Sequence, residues 1–249
     1  MKKRILFLGE GPLDGPARYL AGILKWANFA YDHCGDQEPI FAEWFQRHYD
    51  AFVLSDYRHS SFTKAAERWL VDRVRTGAGL LMIGGWASFT GLVGRYKGSA
   101  IESLLPVRCI EGDDRVNWIS VAANPLFRGP GKILKGLDWE NAPVVCGFHR
   151  IEVKRKARVI LSLRDLHLKL GKPALGRAHP LLVVGKAERG RTAAFLSDCA
   201  PHWAGGLVDW GKERVPVRLQ PKISIEVGDQ YLKFFARLLR WISTNQPKI

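Results

Sequence analysis

The sequence predicts an α/β fold built on a mainly parallel sheet, with antiparallel strands added to it. Three observations carry this expectation. The first third alternates short apolar runs with amphipathic stretches, the spacing of strand–helix–strand units. The middle packs several strand-like runs too closely for helical crossovers. One run, "GLLMIGG" (79–85), drives straight into two glycines, as a buried strand does when it ends in a sharp turn.

Taken in order, "RILFL" (4–8) reads as a short buried strand, followed by the loop "GEGPLDGP". Pro16 is placed as a first helical residue, because its missing N–H costs nothing there. Leu20, Ile23, Leu24 and Ala27 then recur at helical spacing. "YDAFVLSDY" (49–57) holds the next strand. Phe62, Ala65, Ala66, Trp69, Leu70 and Val74 make one apolar stripe, and Gly77 supplies a C-terminal stop. The strand "GLLMIGG" follows. Strand, helix, strand at this spacing implies right-handed crossovers.

Further on, "VNWISVA", "RIEVK", "ARVILSL", "PLLVVGK" and "RTAAFLS" are strand-like. A turn near 154–157 joins two of them, and Gly190 marks another hairpin turn. Residues 204–228 show no strong period and read as an excursion with one extended segment. Tyr231, Phe234, Phe235, Leu238, Leu239 and Ile242 share one face of a closing helix, with Asp229 as its N-cap.

The 249 residues fit one domain, 1–249, and 47% hydrophobic with 25% charged residues is an ordinary globular balance. No apolar run is long enough to span a membrane, and Gly9 and Glu10 interrupt the first one, so the expected compartment is the cytoplasm. Cys34, Cys109, Cys146 and Cys199 show no CxxC spacing and read as reduced thiols in or near the core. The net charge of +14 attracts anions. Its densest run, "KRKAR" (154–158), reads as a hairpin rim. With no aromatic-interleaved basic groove, nucleic acid is disfavoured as a partner.

The order of "YDAFVLSDY", "GAGLLMIGGWASFTG", "GRYKGSAIESLLPV", "NPLFRG", "GRTAAFLSDCAPHW" and the aromatic closing helix resembles the putative glutamine amidotransferase family. These are relatives of class I glutamine amidotransferases and of trehalose-utilisation-type proteins. The likeness runs over roughly residues 1–243 and is weaker between Gly11 and Ala42. It implies a flavodoxin-like three-layer sandwich. In class I amidotransferases a Cys sits on the turn after the central strand, a His activates it, and an acid orients the His. The matching position here falls at Gly85 or Trp86, neither of which has a nucleophilic atom.

The candidate site follows from the same turn. Gly84 and Gly85 permit positive φ and close backbone approach, so their N–H groups, with a following helix, are candidates for an anion or oxyanion cradle. The alternative is a tight packed turn. Ser88 is a candidate hydroxyl or the N-cap of that helix. "SDCAPHW" (197–203) puts Asp198, Cys199, His202 and Trp203 at the end of a later strand, facing the same crevice. Trp86, Trp203, Tyr57 and Arg95 are candidate walls for a sugar-like or anionic small molecule. "CGFH" and "CAPH" are both C-x2-H pairs, too weak alone to predict zinc, and no metal or cofactor is expected.

Two functions stand against each other. One is a small-ligand-binding protein on this fold without glutaminase activity. The other is a hydrolase with His202 as general base, Asp198 as its orienter and water as nucleophile. Self-association into a homo-oligomer is left open.

Overall fold

A computed structural model of the chain describes residues 2–123, 131–139, 141–169 and 171–244, so the "NPLFRG" segment lies outside the described residues. β1 (Arg4–Gly9), α1 (Ala17–Trp26), β2 (Ala30–Cys34), β3 (Ala51–Ser55), α2 (Lys64–Arg75) and β4 (Gly79–Ile83) form the first third. Next come α3 (Ala100–Leu104), β5 (Val107–Cys109), β6 (Arg115–Val116), β7 (Ser120–Ala123), α4 (Gly131–Leu134), β8 (Val144–Val145), β9 (Phe148–His149) and β10 (Ile151–Val153). A long hairpin, β11 (Arg158–Lys169) and β12 (Lys172–Ala187), leads to β13 (Gly190–Phe195) and α5 (Pro201–Ala204). The hairpin β14 (Arg214–Gln220) and β15 (Ile223–Gly228) precedes α6 (Asp229–Ile242).

The main sheet has the order β2-β1-β3-β4-β13-β12-β11-β7-β8. Its first five strands are parallel; every pairing beyond β13 is antiparallel. The parallel half has the flavodoxin-like order, with β13 as fifth strand, so the expected α/β class and its added antiparallel strands are both present. The chain reverses direction across the sheet between β1 and β3, and a crevice opens there at the strands' carboxyl ends.

Both faces of this half are buried, which is why its strands are apolar without alternation. Ile5 and Phe7 join one core with Leu20, Ile23 and the α6 stripe. Leu6 and Leu8 join the other with Leu70, Val74 and Ile101. The result is three layers. On α6, Tyr231, Phe234, Phe235, Leu238, Leu239 and Ile242 are all buried, and each contributes roughly 1.5–3 kcal/mol by leaving water.

Several local expectations are corrected. Pro16 is the N-cap of α1 and Ala17 its first residue. Gly228, not Asp229, caps α6; Asp229 opens the helix and accepts hydrogen bonds from the N–H groups of Lys212 and Glu213. Ala65 is exposed, and Val71 takes its place in the α2 stripe. "VNWISVA" is divided between β6 and β7, which belong to different sheets. A turn does fall at 154–157, but it makes no hairpin rim: β10 pairs with β5 instead of β11. The 204–228 excursion holds two strands, not one, because Pro221 and Lys222 reverse the chain. Cys146 is exposed, while the other three thiols are buried and free.

Candidate functional site

Three strands of the parallel half end alike. "FLGE", "VLSD" and "FLSD" close β1, β3 and β13 with a small residue and then an acid: Glu10, Asp56 and Asp198. β4 lies between β3 and β13, and its matching residues are Gly84 and Gly85. The carboxyl ends of these parallel strands bring the three acids within electrostatic reach of one another beside the sheet's reversal point. Glu10 (φ 65°) and Asp56 (φ 52°) both sit in the left-handed region, a strained conformation for residues with a side chain.

Gly85 explains the interruption. Its φ is +154°, and a Cβ there would lie 2.2 Å from Asp56 Oδ1. The carboxylate of Asp56 presses on the turn and uses its amides: Ala87 N–H donates to Asp56 Oδ1 at 2.7 Å, and Trp86 N–H donates as well. The Asp56 N–H in turn donates to Ser88 Oγ at 3.1 Å. The Gly84 and Gly85 amides expected to form an anion cradle are committed elsewhere, to the Phe195 and Ser197 carbonyls and to His149 Nε2, and the next two amides hold the chain's own carboxylate. Residues 84–99 contain turns and bends but no helix, so Ser88 caps no helix; it is buried as an acceptor within the turn.

A second buried pair holds the turn from the other side. His149 and Asp114 are fully buried, with His149 Nδ1 2.8 Å from Asp114 Oδ1. The ring's Nε2 faces the Gly85 peptide, 3.1 Å from the nitrogen of its N–H. The Gly85 carbonyl oxygen lies 2.9 Å from Nε2. Asp114 also accepts from the N–H groups of Thr90 (3.1 Å) and Gly91 (2.8 Å), so it ties down the far end of the loop. Gly84 keeps the centre narrow: a Cβ there would meet Leu196 O at 2.8 Å and His149 Cδ2 at 2.9 Å. Trp203 packs on His149 with ring centroids 5.0 Å apart.

Glu10, Asp36, Asp56, Arg58 and Trp86 contribute to the walls of a cavity of about 330 Å³ at this point. Trp86 is 48% exposed, with the Arg115 guanidinium 5.6 Å from its ring and His202 edge-on at 5.5 Å. Behind the cavity, burial first, then the charges of Asp198 and Asp56, push the Glu10 carboxyl far above its ordinary range. Ser55 Oγ donates to Glu10 at 2.7 Å. Burial and Asp56 likewise push Asp198 up, to about 8, against the pull of the Ala200 and Cys199 amides. The hydrogen bond between the two carboxyls raises Glu10 further and pulls Asp198 down.

The sign of the consequence is fixed. A folded-state pKa near 8, against about 3.9 for an ordinary Asp, means that the native state holds its proton more tightly. That stabilisation is full below about pH 4 and is lost as pH rises toward 8. Asp198→Asn cannot ionise and keeps an oxygen for the Ala200 N–H. It is expected to gain on the wild type by on the order of 2 kcal/mol between about pH 6 and about pH 8. Urea unfolding across that range measures this; a difference independent of pH would refute it.

The sequence-predicted residues are only partly gathered. Gly84, Gly85 and Trp86 form the turn, and Trp86 reaches the cavity. Asp198 turns to Glu10 and the Ala200 N–H (2.9 Å), so it does not orient His202, which is exposed and packs on Trp86. Tyr57 is fully buried and donates to Glu38 O at 2.7 Å. Trp203 is 1% exposed, its indole donating to Asn117 Oδ1 at 2.9 Å. Neither lines the cavity. Arg95 is exposed on the loop beyond it (φ 55°).

Among the described residues, the group of three or more side chains within metal-binding reach is Glu10, Asp198 and Cys199, so the two C-x2-H pairs do not converge. The Cys199 thiol lies 3.9 Å from Ser55 Oγ and is driven far up by burial and by Asp198 and Glu10. A reactive thiol needs the opposite, electropositive setting. His149, Asp114, Glu10 and Asp56 were not singled out as catalytic or ligand-binding residues by sequence reasoning. The recurrent small-residue–acid ending of three strands was the available signal for Glu10 and Asp56.

A flavodoxin-like sheet whose reversal point carries this turn and crevice defines a class of fold shared with amidotransferases. The family model for putative glutamine amidotransferase matches residues 33–215, and the chain belongs to that family. Cytoplasmic protein STM1381 from Salmonella typhimurium LT2 is 26% identical, with a TM-score of 0.73 over 97% of this chain and 100% of that one. Cytoplasmic protein STM3548 from Salmonella typhimurium is 24% identical, with a TM-score of 0.71 over 96% of this chain and 98% of that one. No curated protein matches the sequence. Among the described residues, no helix is long and apolar enough to cross a membrane.

Proposed function

We propose that this protein uses the amidotransferase-like crevice to bind a small polar molecule and does not hydrolyse glutamine through a thiol. The observation that carries this reading is the Asp56 carboxylate lodged on the Trp86 and Ala87 amides. An acyl-transfer site keeps such amides free for a developing oxyanion. Asp36 and Asp56 on its walls, with Arg58 paired to Asp36, favour a neutral or amine-bearing ligand over an anionic one. Carboxylates beside an exposed indole suit a neutral polyhydroxylated or amine-bearing ligand, held by hydrogen bonds and by stacking. Because both relatives are described as cytoplasmic proteins, we also place this one in the cytoplasm.

Two measurements test the reading. Pure protein incubated with glutamine is expected to release no glutamate above background. Thermal-shift and tryptophan-fluorescence screens with neutral sugars, amino sugars and sugar phosphates are expected to find ligands among the first two groups only. Trp86→Ala should weaken them about tenfold or more. Glutamine turnover lost on alkylation, or tight binding of phosphorylated sugars at this crevice, would overturn it.

The hydrolase reading survives in altered form. Glu10, which keeps its proton and borders the cavity, is the candidate general acid here, in place of His202 as general base. Turnover of a glycoside or amide that disappears in Glu10→Gln, with ligand binding retained, would favour it.

A further inference from the structure

The opposite end of the same strands carries a second, oppositely charged basin. It measures about 810 Å³ and is lined by Lys2, Lys3, Arg4, Arg47, His48 and Asp50. Arg4 opens β1 and Gly9 closes it, so the basin lies roughly 15–20 Å from the acidic crevice along the strand.

Two of its cations are held in place. Arg4 Nη1 lies 3.0 Å from Asp32 Oδ2, and Arg47 Nη1 lies 2.8 Å from Asp32 Oδ1. Tyr49 donates its hydroxyl to Asp32 Oδ2 at 2.8 Å, completing the clamp. Arg47 also rests against Trp44, its Cζ 5.8 Å from the ring centroid. Asp50 accepts from the Arg4 backbone N–H at 2.8 Å. Each guanidinium thus commits one Nη to a common carboxylate, and both residues line the basin. Lys3 bonds the carbonyl of Ser243 at the end of α6, and Arg73 Nη2 lies 3.0 Å from His48 Nδ1. Lys2 is exposed. Four permanent cations face two carboxylates, Asp32 and Asp50, in a chain that is already at +14.

We propose that this basin is a separate ligand site, which takes a multiply charged phosphoryl anion of the diphosphate class. Two pre-positioned guanidinium forks suit bidentate contacts to tetrahedral oxyanions, and holding them in advance removes part of the ordering cost. The basin's size admits more than one phosphoryl group. The site stands independently of the reading of the crevice.

The test is titration calorimetry of the full chain with inorganic pyrophosphate, with orthophosphate and sulfate as comparators. Pyrophosphate is expected to bind one per chain, with Kd below about 1 mM and more tightly than either comparator. Arg47→Gln should weaken it about tenfold or more. Arg47→Lys keeps the charge but not the fork and should recover only part of the loss. Lys2→Gln, which breaks no hydrogen bond or ion pair among the described residues, should weaken it by a smaller factor. Three outcomes overturn the proposal: no saturable binding; affinity unchanged in both Arg47 variants; or equal weak binding of all three anions that moderate salt abolishes, the mark of diffuse attraction.

Discussion

Asp114→Ala is expected to cost about 3 kcal/mol or more of stability, because it leaves several buried donors without an acceptor. Asp114 is fully buried and answers three donors: the Thr90 and Gly91 amides and the His149 imidazole. Alanine leaves all three without an acceptor in a site that water does not reach, and each orphaned group retains its desolvation cost. Asp114→Asn keeps one oxygen but presents an NH2 where an acceptor stood, so it should fall between alanine and wild type. Denaturant midpoints measure the loss. The expected companion is a blue shift or quenching change at Trp86, because the loop that carries it is tied at both ends by this pair. A loss below about 1 kcal/mol would show that the pair does not hold the turn.

The legibility of this fold was uneven for identifiable reasons. β1, α1, β3, α2, β4 and α6 were readable because each buries a whole run or a full helical stripe, and burial writes itself into composition. The Asp114–His149 pair was not. It depends on β6 pairing with β9, two strands of two residues each, too short to show any period. His149 appeared in the sequence only as half of a C-x2-H pair, while its partner sat in a run of charges at 111–115 that reads as solvated loop. The acidic crevice is an intermediate case. The repeat of small residue and acid after "FL", "VL" and "FL" was visible, but its meaning depends on β13 pairing with β4 across more than a hundred residues. His202 was favoured because it occupies the chain position of the amidotransferase histidine, and order along the chain does not fix which way a side chain points on a four-residue helix such as α5.

Gly85→Ala is the sharper test of how the turn works, and here the cause of the damage can be isolated. The added Cβ meets Asp56 Oδ1 at 2.2 Å and Asp56 Cγ at 2.4 Å, at a φ of +154°. The carboxylate cannot retreat without giving up the Ala87 and Trp86 amides, so the single variant should lose about 3 kcal/mol or more through steric conflict and orphaned donors together. Asp56→Ala alone should also destabilise, because it frees the same amides. The two losses are not expected to add. Once Asp56 is shortened, its carboxylate no longer meets the Cβ at position 85, and the double variant should lose clearly less than the two single losses together, with the backbone strain at φ +154° remaining. The coupling energy would then be about 2 kcal/mol or more, far outside the additivity of independent sites. Additive losses would mean that backbone strain at Gly85, and not the pressing carboxylate, dictates the glycine. The reading of Asp56 as the anion that fills the turn would then lose its main support.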